Sequence, residues 1–368
     1  MISFFKDLIK RKTILALPKK VDIIIFGHFT KNFCTKKKAS FLILKDQLYL
    51  IIFIKALIRY IFKKRKISKS VVDFYFIELI DYISPKIAIG NEINKNIFKF
   101  KKYFPNKVSI GYQLVHWSNI HKFLIKKYFG DKKNYSCDYF LTFNKNSLKY
   151  LNFIKTNFIV SGSVKNNFNL VLKKKKIYDL LLISDYRDLK KFNLKDKHSV
   201  QVKKKYYNYF SKILFCINKV AKQNNLKICV AFASKREEKK QYNFFNQEYN
   251  FFNKNLQKFE IGDKPAHELA AKSKMVISFW STLGFEIFSQ NKKVLFLSPN
   301  FSDYWNVFPK KNGFNWYQSI NQKKIYKKIV DNLEINDNQW LKKTQKFRSF
   351  FHFDPKNLAL NDILRKNI

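Results

Sequence analysis

The segment Val276–Pro299, VISFWSTLGFEIFSQNKKVLFLSP, decides the fold class of this chain. A short apolar run leads into Ser281-Thr282, a helical pattern covers Thr282–Gln290, and a second apolar run follows at Lys293–Leu297. Continuous apolar runs of this length are typical of strands buried on both faces of a parallel sheet. The segment therefore predicts a strand, a helix and a second parallel strand.

The same alternation extends over most of the chain. In the first half we predict strands at Val21–His28, Lys86–Gly90, Val108–Tyr112, Tyr139–Phe143 and Phe158–Val160. In the second half we predict them at Tyr178–Ser184, Lys227–Ala233, Phe259–Ile261, Met275–Phe279 and Lys293–Leu297. Helical patterns lie between them, which favours an α/β fold of two Rossmann-like, doubly wound domains facing across a cleft.

A break near Gly162–Lys176 separates the two halves; it holds SGSVKNN (Ser161–Asn167) and KKKK (Lys173–Lys176). We predict an N-terminal Rossmann-like domain over 1–165 and a C-terminal one over 166–345. A helical tail at 346–368 is expected to pack back on the N-terminal domain. Ligands of open α/β sheets bind outside the carboxyl ends of the strands, so we expect the site in the cleft.

The chain is strongly basic, with 73 Lys and Arg against 26 Asp and Glu and a net charge of +47. Only seven of the 73 are Arg, the residue that nucleic-acid readers favour for bidentate contacts. The 40 Phe and 20 Tyr indicate a compositional bias that also supplies Lys. We therefore predict no nucleic-acid partner and attribute the functional part of the charge to anionic substrates or a membrane surface.

The most apolar stretch is Gln47–Phe62, QLYLIIFIKALIRYIF, which contains Lys55 and Arg59. It is too short for a membrane-spanning helix. Two interpretations stay open: an amphipathic helix packed on the core, or a helix on the membrane surface with Lys63–Lys66 on anionic headgroups. Because Met1–Lys20 has no secretory signal and the four Cys have no paired spacing, we expect a cytoplasmic protein, which under the second interpretation would be peripheral at the inner membrane.

Hydroxyl groups at the start of the decisive helix favour an anion site. Ser281 and Thr282 would stand beside free backbone N–H groups and the positive end of the helix dipole. Gly284 would allow a phosphate to approach the first turn, and Glu286, one turn beyond Thr282, would accept hydrogen bonds from ribose hydroxyls. The alternative is an ordinary N-cap with Glu286 in solvent.

Several motifs, in this order along the chain, carry a family resemblance. They are SPKIAIGNEIN (Ser84–Asn94), VSIGYQLVHW (Val108–Trp117), VSGSVKNN (Val160–Asn167), DLLLISDYR (Asp179–Arg187), STLGFE with QNKKVLFL, and NGFNW (Asn312–Trp316). The chain thereby resembles bacterial surface carbohydrate biosynthesis proteins, a family of GT-B glycosyltransferases. Where that family has Gln-Asn-Gly, this chain has Gln113-Leu114-Val115, and Asn91-Glu92 matches its acidic-Asn pair loosely.

The resemblance implies transfer of a sugar from a nucleotide-sugar donor to a surface polysaccharide or lipid-linked glycan. It implies no cofactor and no metal, which the absence of Asp-x-Asp also favours. The hinge would be Gly162 and Ser163. The predicted donor-binding residues are Arg187, Ser234, Lys235, Arg236, Ser281, Thr282, Gly284 and Glu286.

The candidates for the base that deprotonates the acceptor hydroxyl are His116, Glu92 and His28, which follow predicted strands. Each imidazole could equally be structural. His267, at a helix start, is a weaker candidate for contact with the nucleotide base. Alternative functions are a teichoic-type polyol-phosphate transferase or a nucleotide-sugar epimerase on the same fold; a basic nucleic-acid-binding protein is less favoured.

Overall fold

The computed structural model describes residues 12–27, 39–42, 47–67, 70–114, 129–130, 135–172, 174–186, 197–233, 242–279, 281–298, 308, 312–319, 321–348 and 351–368. Two six-stranded parallel sheets form its framework. This confirms the predicted α/β fold class of two Rossmann-like halves.

The first sheet has the strand order β3-β2-β5-β6-β7-β8. The strands of the first half are β1 (Lys12–Ile14), β2 (Ile23–Phe26), β3 (Ala39–Leu42), β4 (Gln47–Tyr49), β5 (Ile87–Asn91), β6 (Val108–Tyr112), β7 (Tyr135–Thr142) and β8 (Ile154–Val160). Alternate residues of β2 enter separate core clusters, Ile24 and Phe26 on one face and Ile23 and Ile25 on the other. Burial on both faces explains why this strand is apolar throughout.

The second sheet has the order β11-β10-β9-β12-β13-β14, which is the 3-2-1-4-5-6 order of the Rossmann fold. Its strands are β9 (Tyr178–Ile183), β10 (Ile228–Ala231), β11 (Glu260–Ile261), β12 (Ser273–Ser278), β13 (Val294–Ser298) and β14 (Trp316–Gln318). From β9 the sheet is extended first on one side, by β10 and β11, and then on the other, by β12, β13 and β14, so the strand order reverses between β9 and β12. In the first sheet the reversal lies between β2 and β5, so each sheet has one such switch point.

Eleven α-helices occur in the described part of the chain. They are α1 (Leu50–Ile67), α2 (Val71–Ile83), α3 (Asn96–Tyr103), α4 (Leu148–Leu151), α5 (Lys197–Gln223), α6 (Tyr242–Asn255), α7 (Ala266–Ala271), α8 (Thr282–Ser289), α9 (Gln322–Glu334), α10 (Asp337–Arg348) and α11 (Leu358–Asn367). Within the described ranges no helix combines the length and the hydropathy that crossing a membrane requires.

The predicted helix Gln47–Phe62 differs from the structure at both ends. Gln47–Tyr49 forms β4, which pairs in parallel with β1, and the helix itself runs on to Ile67. The pairing partner of β4 lies more than thirty residues upstream, so local periodicity did not reveal the strand.

The end of the chain contacts the first sheet. Leu360, Ile363 and Leu364 of α11 join the core cluster on one face of that sheet. Asp354 caps α11, because its carboxylate accepts hydrogen bonds from the backbone N–H groups of Leu358 and Ala359, both at 2.9 Å. The boundaries at 165 and 345 stay predictions, while these contacts establish where the last helix packs.

Candidate functional site

The carboxyl end of β12 lies at the switch point of the second sheet and leads into α8. Ser281 occupies the N-cap position of α8 in an extended conformation, and its side chain makes no capping hydrogen bond. The backbone N–H of Gly284 donates to the Ser281 carbonyl at 3.0 Å. The first turn of α8 therefore presents its positive end at the sheet edge where ligands of this fold bind, without a capping hydrogen bond from the Ser281 side chain.

Gly284 is required here for packing. A Cβ atom at this position would lie 2.2 Å from the Ser278 Oγ and 2.4 Å from its Cβ. The glycine thus lets α8 lie directly against the end of β12. The Ser278 hydroxyl is buried and has no hydrogen-bond partner in the described part of the chain. The role of Gly284 in admitting a phosphate stays a prediction.

Glu286 points toward the connection between the two sheets. Its carboxylate accepts hydrogen bonds from Ser163 Oγ and from Asn166 Nδ2, both at 2.7 Å. Its side chain is only 10% exposed. Burial raises the pKa of Glu286, and the two hydrogen bonds partly offset that rise. The Glu286 side chain is therefore not solvated, and its hydrogen bonds connect α8 to the predicted hinge.

His267 of α7 lies beside this carboxylate. Its Nε2 is 3.8 Å from Glu286 Oε2, which is too long for a hydrogen bond, and it is buried without a partner among the described residues. Burial lowers the pKa of His267 to about 4. The imidazole is therefore uncharged near neutral pH, and the two side chains form no ion pair there.

Gly162 adopts a left-handed conformation with φ of +71°. A Cβ atom at Gly162 would lie 2.3 Å from the His352 carbonyl oxygen, and Gly162 forms a β-bridge with Phe353. The predicted hinge therefore passes directly beneath the returning C-terminal segment. Next to it, Asn167 Nδ2 donates to Asn357 Oδ1 at 2.6 Å.

Glu248, which the sequence did not point to, is buried and organises the other strand ends of the second sheet. Glu248 of α6 accepts hydrogen bonds from Ser184 Oγ and, at 2.9 Å, from the backbone N–H of Ala233. It thereby fixes the starts of the loops that follow β9 and β10. Glu248 lies in a polar, aromatic-rich stretch, so its sequence context offered no signal for burial.

The corresponding edge of the first sheet is rich in amides. Asn91 Oδ1, at the end of β5, accepts from the backbone N–H groups of Ile93 and Asn94, each at 3.0 Å. Gly27, at the end of β2 with φ of +100°, has both Asn91 and Asn94 side chains within 3.6 Å of its would-be Cβ. Burial raises the pKa of Tyr112 to about 12, so the phenol stays protonated beside them.

Glu92 is fully buried at the same edge. Its Oε2 accepts from the backbone N–H of Leu114 at 2.7 Å, and Gln113 Oε1 accepts from the backbone N–H of Phe143 at 2.9 Å. These contacts join the ends of β5, β6 and β7. Glu92 thus anchors the segment after β6, and its role as a base stays a prediction.

Six predicted site residues lie outside the described residues: His28, His116, Arg187, Ser234, Lys235 and Arg236. Their predicted roles are neither supported nor opposed by the structure. Within the described ranges, no group of three His, Cys, Asp or Glu side chains is arranged to hold a metal ion. The metal-free mechanism stays a prediction. Trp316 is buried and stacks on Phe308 with ring centroids 4.4 Å apart, so it belongs to the core.

The two Rossmann-like halves with parallel sheets form a GT-B fold, and known structures share it. UDP-GlcNAc 2-epimerase from Neisseria meningitidis, bound to UDP-GlcNAc, is similar over 94% of this chain and 99% of its own, with 10% identity and a TM-score of 0.55. The S. aureus MnaA–UDP structure is similar over 94% and 95%, with 11% identity and a TM-score of 0.51. At these identities the likeness establishes the fold.

The family follows from the sequence match over residues 118–368, about two thirds of the chain. The chain belongs to the family described as "putative O-antigen biosynthesis protein". This confirms the resemblance to bacterial surface carbohydrate biosynthesis proteins. No curated protein matches the chain.

Proposed function

We propose that this protein is a glycosyltransferase that moves a sugar from a nucleotide-sugar donor to a surface polysaccharide or lipid-linked glycan acceptor, without a metal. The observation that carries the proposal is the start of α8, where the uncapped Ser281 opens a helix at the switch point and Glu286 follows one turn later. The family supplies the biological context, which is O-antigen synthesis. We expect the protein to act in the cytoplasm.

The donor's diphosphate fits the N-terminal end of α8. The N-terminal end of a helix and its dipole stabilise negative charge, and the hydroxyls of Ser281 and Thr282 would add donors. During transfer the nucleoside diphosphate leaves with additional charge on its terminal phosphate. In the absence of a metal, this charge must be met by such donors and by cations, for which Arg187, Lys235 and Arg236 are the candidates.

Glu286 would bind the ribose. It now accepts hydrogen bonds from one hydroxyl and one amide N–H of the connection between the sheets, at 2.7 Å each. The two hydroxyls of a ribose would supply an equivalent pair of donors. Binding of a nucleotide would then release Ser163 and Asn166, which couples occupancy of the donor site to movement at the hinge.

On the acceptor side, transfer requires a base for the attacking hydroxyl. Glu92, His116 and His28 remain the candidates. The bond from the Leu114 N–H to Glu92 lies two residues before His116, so Glu92 is also suited to position that histidine. In this arrangement a single carboxylate would shape the acceptor loop rather than contact the acceptor.

An epimerase is the second candidate, because the two nearly full-length structural matches described above are a UDP-GlcNAc 2-epimerase bound to its substrate and a UDP complex. Epimerisation and transfer share the need for a nucleotide-sugar clamp. They differ in whether a second substrate is required.

A two-stage experiment tests the proposal. Thermal shift with UDP, CMP, GDP and their sugars identifies the donor, since a ligand that binds the folded state raises its melting temperature. NMR spectroscopy of that donor, with and without a lipid-linked glycan, then follows the sugar. Transfer that depends on acceptor supports the glycosyltransferase, a changed sugar without acceptor supports the epimerase, and no shift with any nucleotide contradicts both.

A further inference from the structure

Helix α1 packs on the core with one side and exposes an apolar face on the other. Five large side chains on it are between 49% and 82% exposed: Ile51, Ile54, Ile58, Ile61 and Phe62. Their spacing of three and four residues places them along one side of the helix. Soluble proteins rarely expose contiguous apolar patches beyond roughly a few hundred Å² unless the patch binds something.

The opposite side of α1 is fully used by the core. Ile52, Phe53 and Ala56 are buried, and the ring of Phe53 contacts that of Tyr75 on α2 edge to face, with centroids 6.0 Å apart. The exposed apolar face is therefore additional to the face that α1 buries in the core. Turning it inward would expose an equally apolar surface.

Ion pairs fix the rotation of α1 on α2. The buried Glu78 of α2 pairs with Arg59 and, at 3.1 Å, with Lys55, and Arg59 also reaches Asp81 at 3.4 Å. Burial of Glu78 alone would raise its pKa, but the hydrogen bonds from Arg59 and Lys55 outweigh this and hold the pKa below its usual range. These ion pairs between α1 and α2 keep the apolar face of α1 exposed.

The charge of α1 selects among the possible occupants of this face. Its sequence, LIIFIKALIRYIFKKRKI, contains six basic residues and no acidic one, and Lys63–Lys66 follow directly after Phe62. A second copy of the chain would bring two basic faces together, which is unfavourable. An anionic surface satisfies both the apolar face and the adjoining cations.

We propose that α1 is the membrane-binding element of this protein, lying in the plane of an anionic lipid surface with Ile51, Ile54, Ile58, Ile61 and Phe62 inserted among the headgroups. The helix is too polar to cross the bilayer, and it binds as an amphipathic element instead. The inference does not depend on which sugar the cleft takes, and it would bring the acceptor side of a lipid-linked reaction to the membrane.

Vesicle sedimentation tests this inference. The full-length protein should pellet with vesicles of equal parts phosphatidylcholine and phosphatidylglycerol, and much less with phosphatidylcholine alone. Added salt should weaken the binding, because part of it is electrostatic. The triple variant Ile58→Ser, Ile61→Ser, Phe62→Ser should lower the partition coefficient roughly tenfold or more, since these side chains no longer insert.

A matched control changes exposed apolar residues elsewhere. Leu172→Ser with Phe215→Ser alters side chains that are 56% and 55% exposed, and it should pellet like the wild type. Both variants should keep the melting temperature and the nucleotide affinity of the wild type, which separates this test from that of the donor site.

Three results would overturn the inference. One is wild-type protein that stays in the supernatant with anionic vesicles, and another is a triple variant that pellets as well as the wild type. The third is a dimer in light scattering that the triple variant converts to monomer, because the face would then bind a second copy.

Discussion

Glu286 and Glu92, at the carboxyl edges of the two sheets, use their buried carboxylates differently. In the second sheet, Glu286 binds Ser163 and Asn166 in the connection between the sheets. In the first sheet, Glu92 binds the backbone of Leu114, within the same domain. One carboxylate therefore links α8, the proposed donor-binding helix, to the predicted hinge, and the other holds a loop in place.

This difference has an energetic consequence. The partners of Glu286 are side chains of a segment between two domains, which a ligand can replace at modest cost. The partner of Glu92 is a backbone N–H group, whose loss would leave a buried donor unsatisfied at a cost of about 1–3 kcal/mol. We therefore expect substitution of Glu286 to alter ligand binding and substitution of Glu92 to alter stability and turnover.

The largest effect is expected at the start of α8. Ser281→Ala combined with Thr282→Ala removes the hydroxyl donors beside the proposed diphosphate and should abolish nucleotide binding while leaving the fold intact. Isothermal titration calorimetry with the nucleotide identified by thermal shift measures it. Ser289→Ala, at the other end of the same helix, is the control and should bind as the wild type does. Unchanged affinity in the double variant would falsify the assignment of the donor site.

The hinge provides the next largest effect. Gly162→Ala must adopt a left-handed backbone and place its Cβ against the His352 carbonyl, so the free energy of unfolding should fall by about 2–5 kcal/mol. Gly130→Ala has a similar φ of +66°, but no atom of the described residues lies within 4 Å of the new Cβ, and it should cost only about 1–2 kcal/mol. Urea titration compares the two, and equal losses would mean that contact with the C-terminal segment contributes nothing.

The buried side chains of His267 and Glu286, at the carboxyl edge of the second sheet, should also make the stability of the fold depend on pH. The pKa of His267 is about 4 in the folded protein and about 6.5 when unfolded, so only the unfolded chain takes up the proton between these values. As the pH falls from 6.5 to 4, stability should drop by about 3 kcal/mol. Glu286, whose pKa is raised, acts in the opposite sense: its contribution is present at low pH and lost as the pH rises through its folded pKa.

Replacement of the imidazole isolates its share of this pH dependence. His267→Leu removes the titrating group, and the fall in the free energy of unfolding between pH 6.5 and pH 4 should shrink by about 3 kcal/mol. His352→Gln, which removes an exposed imidazole, is the comparison variant. A His267→Leu variant with the wild-type pH profile would show that its burial does not affect protonation.

Local patterns were sufficient for most of the framework, whereas the donor-site roles stay predictions. The run Val108–Tyr112 is a strand with the predicted bounds, and Glu286 lies in the predicted helix, about one turn beyond Thr282. The strand Trp316–Gln318 was missed because three residues have no readable period. Ser163 and Asn166 lie more than a hundred residues from Glu286, so only folding brings their side chains to it.

The smallest expected effect compares the two carboxylates directly. Glu286→Gln removes a charge-assisted acceptor from the ribose site and should weaken nucleotide binding by about 1.5–3 kcal/mol. Glu92→Gln keeps an oxygen that can accept from the Leu114 N–H, so the loop should stay in place and nucleotide affinity should not change, whereas turnover should fall through loss of the candidate base. Calorimetry and the NMR transfer assay, applied to both variants, separate these outcomes. If Glu92→Gln weakens nucleotide binding as much as Glu286→Gln does, the two edges form a single donor site and the division of roles between them is wrong.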